Sequence, residues 1–285
     1  VFVSSLREVS CGTIRETVRR LFLEANTDLG ADVISTIERF LVREESELGR
    51  HALDAIVENA KIARERSAPL CQDTGLAVLF VELGQDVHIV GGNFNEAIQE
   101  GVRRAYEEGF FRKSVCDPLT RHNTGDNTPA IIHTEIVPGN NIKITAMPKG
   151  GGSENMSTCI MLVPAAGIEG IKKHVIETVI QAGSKPCPPV IVGVGVGGSI
   201  EESAILAKKA LLRPVGQHNI KDDRLPMVES EILEEINRSG IGPQGYGGRT
   251  TALAVHIEMM PCHIASLPVT VNIQCHVARH KEAVI

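Results

Sequence analysis

Tryptophan is absent from this chain, and 2 tyrosines with 7 phenylalanines in 285 residues leave little from which to build the aromatic platforms that grip single-stranded nucleic acid. Long apolar runs are missing too. None reaches the roughly 18 residues of a membrane-spanning helix, and Val1 to Ser10 holds Arg7 and Glu8 where a secretory leader needs an apolar centre. Blocks of one charge are also lacking. A net charge of −6, with acids and bases interleaved, argues against nucleic acid or an anionic membrane surface as partner and for a small ligand. The expectation is a cytoplasmic protein, with 42% hydrophobic residues to fill its core.

Cysteine is present but not in paired motifs. The 7 cysteines stand singly and no CxxC occurs, which argues against a disulfide scaffold, a zinc ribbon or a thioredoxin-type site and leaves metal ligation, redox chemistry or burial. Cys11, Cys116, Cys159 and Cys262 read as small buried hydrophobes. Cys71, Cys187 and Cys275 differ in context, because each lies where a turn meets an apolar or β-branched run. Pro69-Leu70-Cys71-Gln72-Asp73-Thr74-Gly75 leads into Leu76–Leu83, and Lys185-Pro186-Cys187-Pro188-Pro189 leads into Val190-Ile191-Val192. Cys275-His276 follows Val271-Asn272-Ile273-Gln274, with Arg279 close behind.

The periodicity predicts a mixed α/β fold. Thr13-x-x-Glu16 is a capping-box pattern opening a helix through Ile14, Val18, Leu21, Phe22 and Ala25, and two further helices follow around Val33–Leu41 and Leu48–Ala63. Residues 1–66 thus form a mainly helical layer. Strands are expected over Leu76–Leu83 and Val87–Val90, then a helix over Asn95–Glu108 and a long polar segment from Phe111 to Pro129 of the kind that carries function. Ala130–Val137 and Asn141–Met147 read as a β-hairpin around Pro138-Gly139-Asn140. Beyond it come helices over Ile168–Ala182, Ser199–Leu212 (capped by Ser199) and Leu225–Ser239, and strands over Val190–Val194 and Thr251–Met259. No linker or repeat divides the chain, so residues 1–285 are expected to be one α/β unit, a β-sheet flanked by helices.

Two glycine-rich stretches invite phosphate-binding readings. Gly193-Val194-Gly195-Val196-Gly197-Gly198 satisfies GxGxxG after a strand and before a helix, but no second parallel strand follows that helix, so close strand-to-helix packing is the better reading. Lys149-Gly150-Gly151-Gly152-Ser153 lacks P-loop spacing, although its backbone N–H groups could receive a carboxylate. The three turn cysteines are too few to fill every position of a cubane iron–sulfur cluster. An iron left open in this way suits a catalytic centre, a Lewis acid for adding or removing water beside a carboxylate. Asp73, two residues from Cys71, is placed to exchange a proton with a hydroxyl, with His263 as a second candidate or a core histidine. Arg112 is a bidentate carboxylate ligand or a plain surface arginine.

These motifs as a set, with Asn123-Thr124-Gly125-Asp126-Asn127-Thr128-Pro129, Lys149-Gly150-Gly151-Gly152-Ser153-Glu154-Asn155 and Ile241-Gly242-Pro243-Gln244-Gly245, resemble the class I, iron–sulfur fumarate hydratases from about Ser67 to the C-terminus. The resemblance implies a [4Fe-4S] cluster on Cys71, Cys187 and Cys275 and reversible hydration of fumarate to (S)-malate. It also implies a substrate site lined by Gln72, Asp73, Arg112, a glycine of the Lys149 loop (Gly151 or Gly152) and His263, with Asp73 exchanging the proton at the hydroxyl. Ending at Ile285, soon after the third cysteine, the chain is similar to the α subunit of the two-subunit form. A separate β subunit, expected in an α2β2 assembly, would then supply further basic residues and a second proton-transfer group. The L-tartrate dehydratase α subunit is the runner-up, while Lys149–Glu154 and Ser266-Leu267-Pro268-Val269 resemble the fumarate version. A reading from another class is a non-catalytic iron–sulfur or zinc component whose shell is closed by Cys262 or a histidine.

Overall fold

The computed structural model describes residues 6–285, so the first five residues of the stretch weighed as a secretory leader lie outside it. In chain order the elements begin with β1 (Arg7–Ser10), α1 (Cys11–Thr27), α2 (Ala31–Arg43), α3 (Glu47–Arg66), β2 (Leu76–Gly84), β3 (Val87–Val90), α4 (Phe94–Glu108), β4 (Ile131–Val137) and β5 (Ile142–Lys149). They continue with α5 (Gly151–Glu154), β6 (Thr158–Leu162), α6 (Gly167–Ala182), β7 (Val190–Gly198), α7 (Ile200–Ala210), α8 (Leu225–Arg238), β8 (Ala252–Cys262), β9 (Leu267–Gln274) and β10 (Lys281–Val284). The mixed α/β class expected from the periodicity is what the chain adopts. Its residues divide into two compact units. One holds the chain up to Leu29, Ala60–Gly150 and Arg279–Ile285; the other holds Gly30–Asn59 and Gly151–Ala278. The three N-terminal helices are shared out, α1 to the first unit and α2 to the second, with α3 running from one to the other.

In the first unit a four-stranded sheet has the order β10-β5-β2-β4. Its core is one stripe of α1 (Ile14, Val18, Leu21, Phe22) and one of α4 (Ile98, Val102, Ala105, Tyr106), set with Leu79, Val81, Ile142 and Ile144 of the sheet. Each large aliphatic side chain fully buried here contributes roughly 1.5–3 kcal/mol. The cap of α1 is Ser10, not Thr13: the Ser10 Oγ accepts the Thr13 N–H at 3.1 Å, which starts the helix three residues earlier than the capping-box pattern suggests.

The hairpin expected from β4 and β5 does not form. The two strands lie on either side of β2, β4 parallel to it and β5 antiparallel. The strand buried along most of its length, β2, takes the sheet interior, and the half-exposed β4 is left at the edge. The Pro138-Gly139-Asn140 turn therefore passes the end of β2, where the Gly84 N–H reaches the Asn141 carbonyl at 2.9 Å.

The second unit has the sheet order β6-β9-β7-β8. Along β7 the side chains alternate between faces. Val190, Val192, Val194 and Val196 join α6 and α8 in the core. Gly193 and Gly195 meet α7, where an added Cβ would stand 2.1 Å from the Ala207 carbonyl oxygen and 1.9 Å from that of Ser203. The GxGxxG stretch thus serves close helix packing. Ser199 occupies the cap position of α7 but makes no side-chain capping bond; its carbonyl accepts the Ser203 N–H.

Candidate active site

In the first unit the Cys71 turn is built from its own short-range bonds. The Asp73 N–H points at the Cys71 Sγ at 3.4 Å, and the Gly75 N–H donates to the Asp73 Oδ1 at 3.0 Å, so thiol and carboxylate share one rigid loop. Gly75 sits at φ +75 against Lys149, where a Cβ would be 2.5 Å from the Lys149 carbonyl carbon, so a side chain would force the turn off β5. Gly150 lies over the carboxylate, its Cβ direction ending 3.2 Å from the Asp73 Oδ2. The Thr74 hydroxyl donates to the Arg112 carbonyl at 2.8 Å, which ties the exposed Arg112 to this turn.

Buried donors hold the same loop from below. The Tyr106 hydroxyl lies 2.7 Å from the Thr74 carbonyl and 3.0 Å from that of Gly75, and the Asn127 Nδ2 donates to the Gly75 carbonyl at 3.1 Å. Burial pushes the Tyr106 hydroxyl well above the usual phenol range, so it stays a neutral donor. Asn127, in the left-handed region at φ 63, also accepts the Ser114 N–H at 2.6 Å and so joins the polar segment to the turn. Arg279 donates through Nη2 to the Asp73 carbonyl.

In the second unit, Cys187 and Cys275 share one end of the sheet. Cys187 precedes β7 and Cys275 follows β9, and the two strands run antiparallel with Ile191 opposite Gln274. The His276 Nδ1 lies 3.0 Å from the Cys187 carbonyl. The same nitrogen lies 3.2 Å from the Gln244 Nε2. Gln244 donates both its backbone N–H (2.8 Å) and its Nε2 (2.7 Å) to the Pro188 carbonyl. Cys187 and Gln244 both adopt positive φ, 56 and 52, a conformation few non-glycine residues hold without such support. Gly151 and Gly152 open α5 at this end, with the Gly152 Cβ direction 3.8 Å from the Lys185 carbonyl oxygen. Glu154 of that turn bonds the Asn272 Nδ2 at 3.1 Å and the Lys208 Nζ at 2.5 Å.

His263 is elsewhere. It is exposed in the turn after β8, which is parallel to β7 with Cys262 opposite Gly198. Seven residues of β7 separate that end from Ile191, a span of about 23 Å at a strand's rise of about 3.3 Å per residue. His263 is therefore no core histidine, nor is it beside Cys187 and Cys275 on their own sheet. It stands at the rim of an apolar cavity of about 380 Å³ lined by Ile168, Ile171, Val228, Met259 and Ile264.

The turns thus gather Cys71, Gln72, Asp73 and Arg112 in one unit, and Cys187, Cys275, Gly151 and Gly152 in the other. From sequence, Tyr106, Asn127 and Gln244 have no individual role, and Arg279 enters only as a neighbour of Cys275. Asn127 and Gln244 lie inside the quoted motifs and Arg279 just past Cys275, but Tyr106 sits in an ordinary helical pattern. Among the described residues no three His, Cys, Asp or Glu side chains stand as they would around a single metal ion. Cys262, considered for a closed shell, sits at the His263 end and donates to the Ser266 carbonyl at 3.2 Å. The thiols Cys71, Cys187 and Cys275 are soft donors suited to iron–sulfur ligation. Below the Cys71 turn, buried Arg279 has two guanidinium nitrogens, Nε and Nη1, with no acceptor among the described residues, and its positive charge has the sign that would suit an anionic group.

Comparison with known proteins bears on this arrangement. A protein of Methanocaldococcus jannaschii, provisionally named L(+)-tartrate dehydratase subunit alpha, is 47% identical over 268 residues, 92% of this chain and 94% of the relative. The L(+)-tartrate dehydratase subunit alpha of Escherichia coli strain K12 is 30% identical over 275 residues, 95% of this chain and 90% of the relative, and the Shigella sonnei protein of that name matches to the same extent. The family described as Fumarate hydratase (Fumerase) matches residues 15–284, a span that takes in both cysteine turns and every motif around them. On that match the chain belongs to the fumarate hydratase (Fumerase) family.

Proposed function

We propose that this chain is the α subunit of a hydro-lyase that hydrates fumarate to (S)-malate. The observation that carries the reading is the Cys71 turn, where a thiol and the Asp73 carboxylate share one loop and the Gly75 N–H fixes the carboxylate's orientation. Cys71, Cys187 and Cys275 would hold a [4Fe-4S] cluster, which when bound supplies a Lewis acid for the substrate hydroxyl and one carboxylate oxygen. Asp73 would exchange the proton at that hydroxyl, its Oδ1 held by the Gly75 N–H so that proton transfer needs no rotamer search. Arg112 and Gln72, both exposed beside the turn, would orient a substrate carboxylate. The N–H groups of Gly151 and Gly152 would receive the other.

A clear second proton-transfer group for the neighbouring carbon does not appear among the residues of these turns. The relatives' names, each ending in subunit alpha, support a separate β subunit; in this proposal that subunit would complete the site, within an α2β2 assembly. The same names favour a second reading, dehydration of L(+)-tartrate to oxaloacetate, which differs from the first in the substrate and not in the machinery.

The test is anaerobic reconstitution of the chain with iron and sulfide, with and without its β subunit, and assay of both substrates. Fumarate turnover that appears only with the β subunit supports the reading. Turnover of tartrate alone moves the protein to the second reading, and a single tightly bound zinc with no turnover of either removes both.

A further inference from the structure

Three buried side chains act on three successive carbonyls beneath the Cys71 turn. Arg279 takes that of Asp73, Tyr106 lies on those of Thr74 and Gly75, and Asn127 also takes that of Gly75. The peptide joining Thr74 to Gly75 is gripped at both ends, its carbonyl by Tyr106 and its N–H by the Asp73 carboxylate. The carbonyl ends of the loop are thereby turned into the protein, and the carboxylate is left fixed beside the thiol.

Arg279 differs from the other two in its cost. It is 4% exposed, and its Nε and Nη1 find no acceptor among the described residues. A buried guanidinium left so is destabilising on its own account, and a neutral donor would serve the carbonyl more cheaply. Stability alone does not account for it.

We propose that Arg279 is a positioning residue of the hydro-lyase site, setting Asp73 against Cys71 by holding the Asp73 carbonyl. This rests on the reading of the preceding subsection. The guanidinium suits the task because its rigid fork of donors keeps one orientation while Nη2 is engaged, whereas a lysine's ammonium would pivot.

The experiment compares wild type, Arg279→Ala and Arg279→Lys, each assembled with the β subunit and loaded anaerobically. In Arg279→Ala we expect kcat to fall about a hundredfold with KM changed by less than about threefold and iron content unchanged, the pattern of a misplaced catalytic group. Added guanidinium ion should restore part of that kcat, and Arg279→Lys should stay impaired. Independently of turnover, hydrogen exchange of the Gln72–Gly75 amides should quicken in Arg279→Ala and slow again with guanidinium. Unchanged kcat, a raised KM at constant kcat, or an impaired kcat with unchanged exchange would each overturn the proposal. If wild type turns over neither fumarate nor tartrate, the hydro-lyase reading fails instead, and the exchange measurement alone decides whether Arg279 holds the turn.

Discussion

The two units hold their cysteine turns by different means. The Cys71 turn is gripped from inside, its carbonyls taken by the buried Tyr106, Asn127 and Arg279, while the Cys187 turn is gripped at the surface by the half-buried His276 and Gln244. A buried donor cannot be replaced by water, so its loss leaves an unsatisfied carbonyl; a surface donor can be. The first turn carries the carboxylate proposed to move a proton and the second carries thiols only. Rigid support is found where geometry to a fraction of an ångström matters most.

Substitution of the thiols erases the comparison altogether. Serine at Cys71, Cys187 or Cys275 should abolish the broad visible absorption of the anaerobically reconstituted chain. Cys159→Ser should keep it, since Cys159 lies instead in a hydroxyl cluster, with the Thr270 hydroxyl donating to its Sγ at 3.0 Å. Loss of the absorption in Cys159→Ser and its persistence in Cys187→Ser would reverse the ligand assignment.

Asp73→Asn comes next. It should retain iron and lose activity by roughly 10²–10⁴-fold, the usual contribution of a positioned acid–base group. A steady-state assay of the iron-loaded variant decides this, and an unchanged kcat would take Asp73 out of the chemistry.

Acid should separate the units. His256, on β8 of the second unit, is held neutral, its pKa lowered to about 4 from 6.5 first by burial and then by the Arg213 charge. Because the folded-state value is depressed, the stability it contributes is present above pH 6.5 and lost as pH falls through about 4, to a total of about 3 kcal/mol. Tyr106 beneath the Cys71 turn stays neutral over the same range. Exchange protection should therefore fade first in Gly151–Ala278. Denaturation at pH 7.5 and 5 measures the loss, and equal fading of both units would contradict it.

The smallest effects compare the two grips directly. Tyr106→Phe removes a buried donor from two carbonyls and should cost about 1–3 kcal/mol in a urea titration, whereas Gln244→Ala removes a half-buried donor and leaves the Pro188 carbonyl its bond from the backbone N–H of residue 244, and should cost about 1 kcal/mol or less. An equal cost for both would mean that burial does not distinguish the turns.

Much of this was legible along the chain. Helices α1, α2, α4, α6 and α8 follow from 3.6-residue periodicity, because an apolar stripe needs only local spacing to declare itself. The cysteine turns likewise announce themselves through prolines, glycines and the β-branched runs beside them. What the local pattern misassigned depends on competition between distant segments. Ala130–Val137 and Asn141–Met147 look like neighbours, but β2, buried along most of its length, takes the place between them and leaves the half-exposed β4 at the edge. The capping residue of α1 was mistaken for the same reason on a smaller scale, two hydroxyls three residues apart competing for one helix start.

The sequence by itself determined the residue chemistry of the site, the thiols, the carboxylate and the glycines, and the element types that carry them. Only the tertiary structure decided which groups share an end of a sheet, since a strand's direction and partners are set by long-range burial. That placed Cys187 and Cys275 together and His263 at the far end. It also revealed Tyr106 and Arg279, whose work lies in meeting carbonyls more than 30 and 200 residues away in the chain, a relation no local spacing can express.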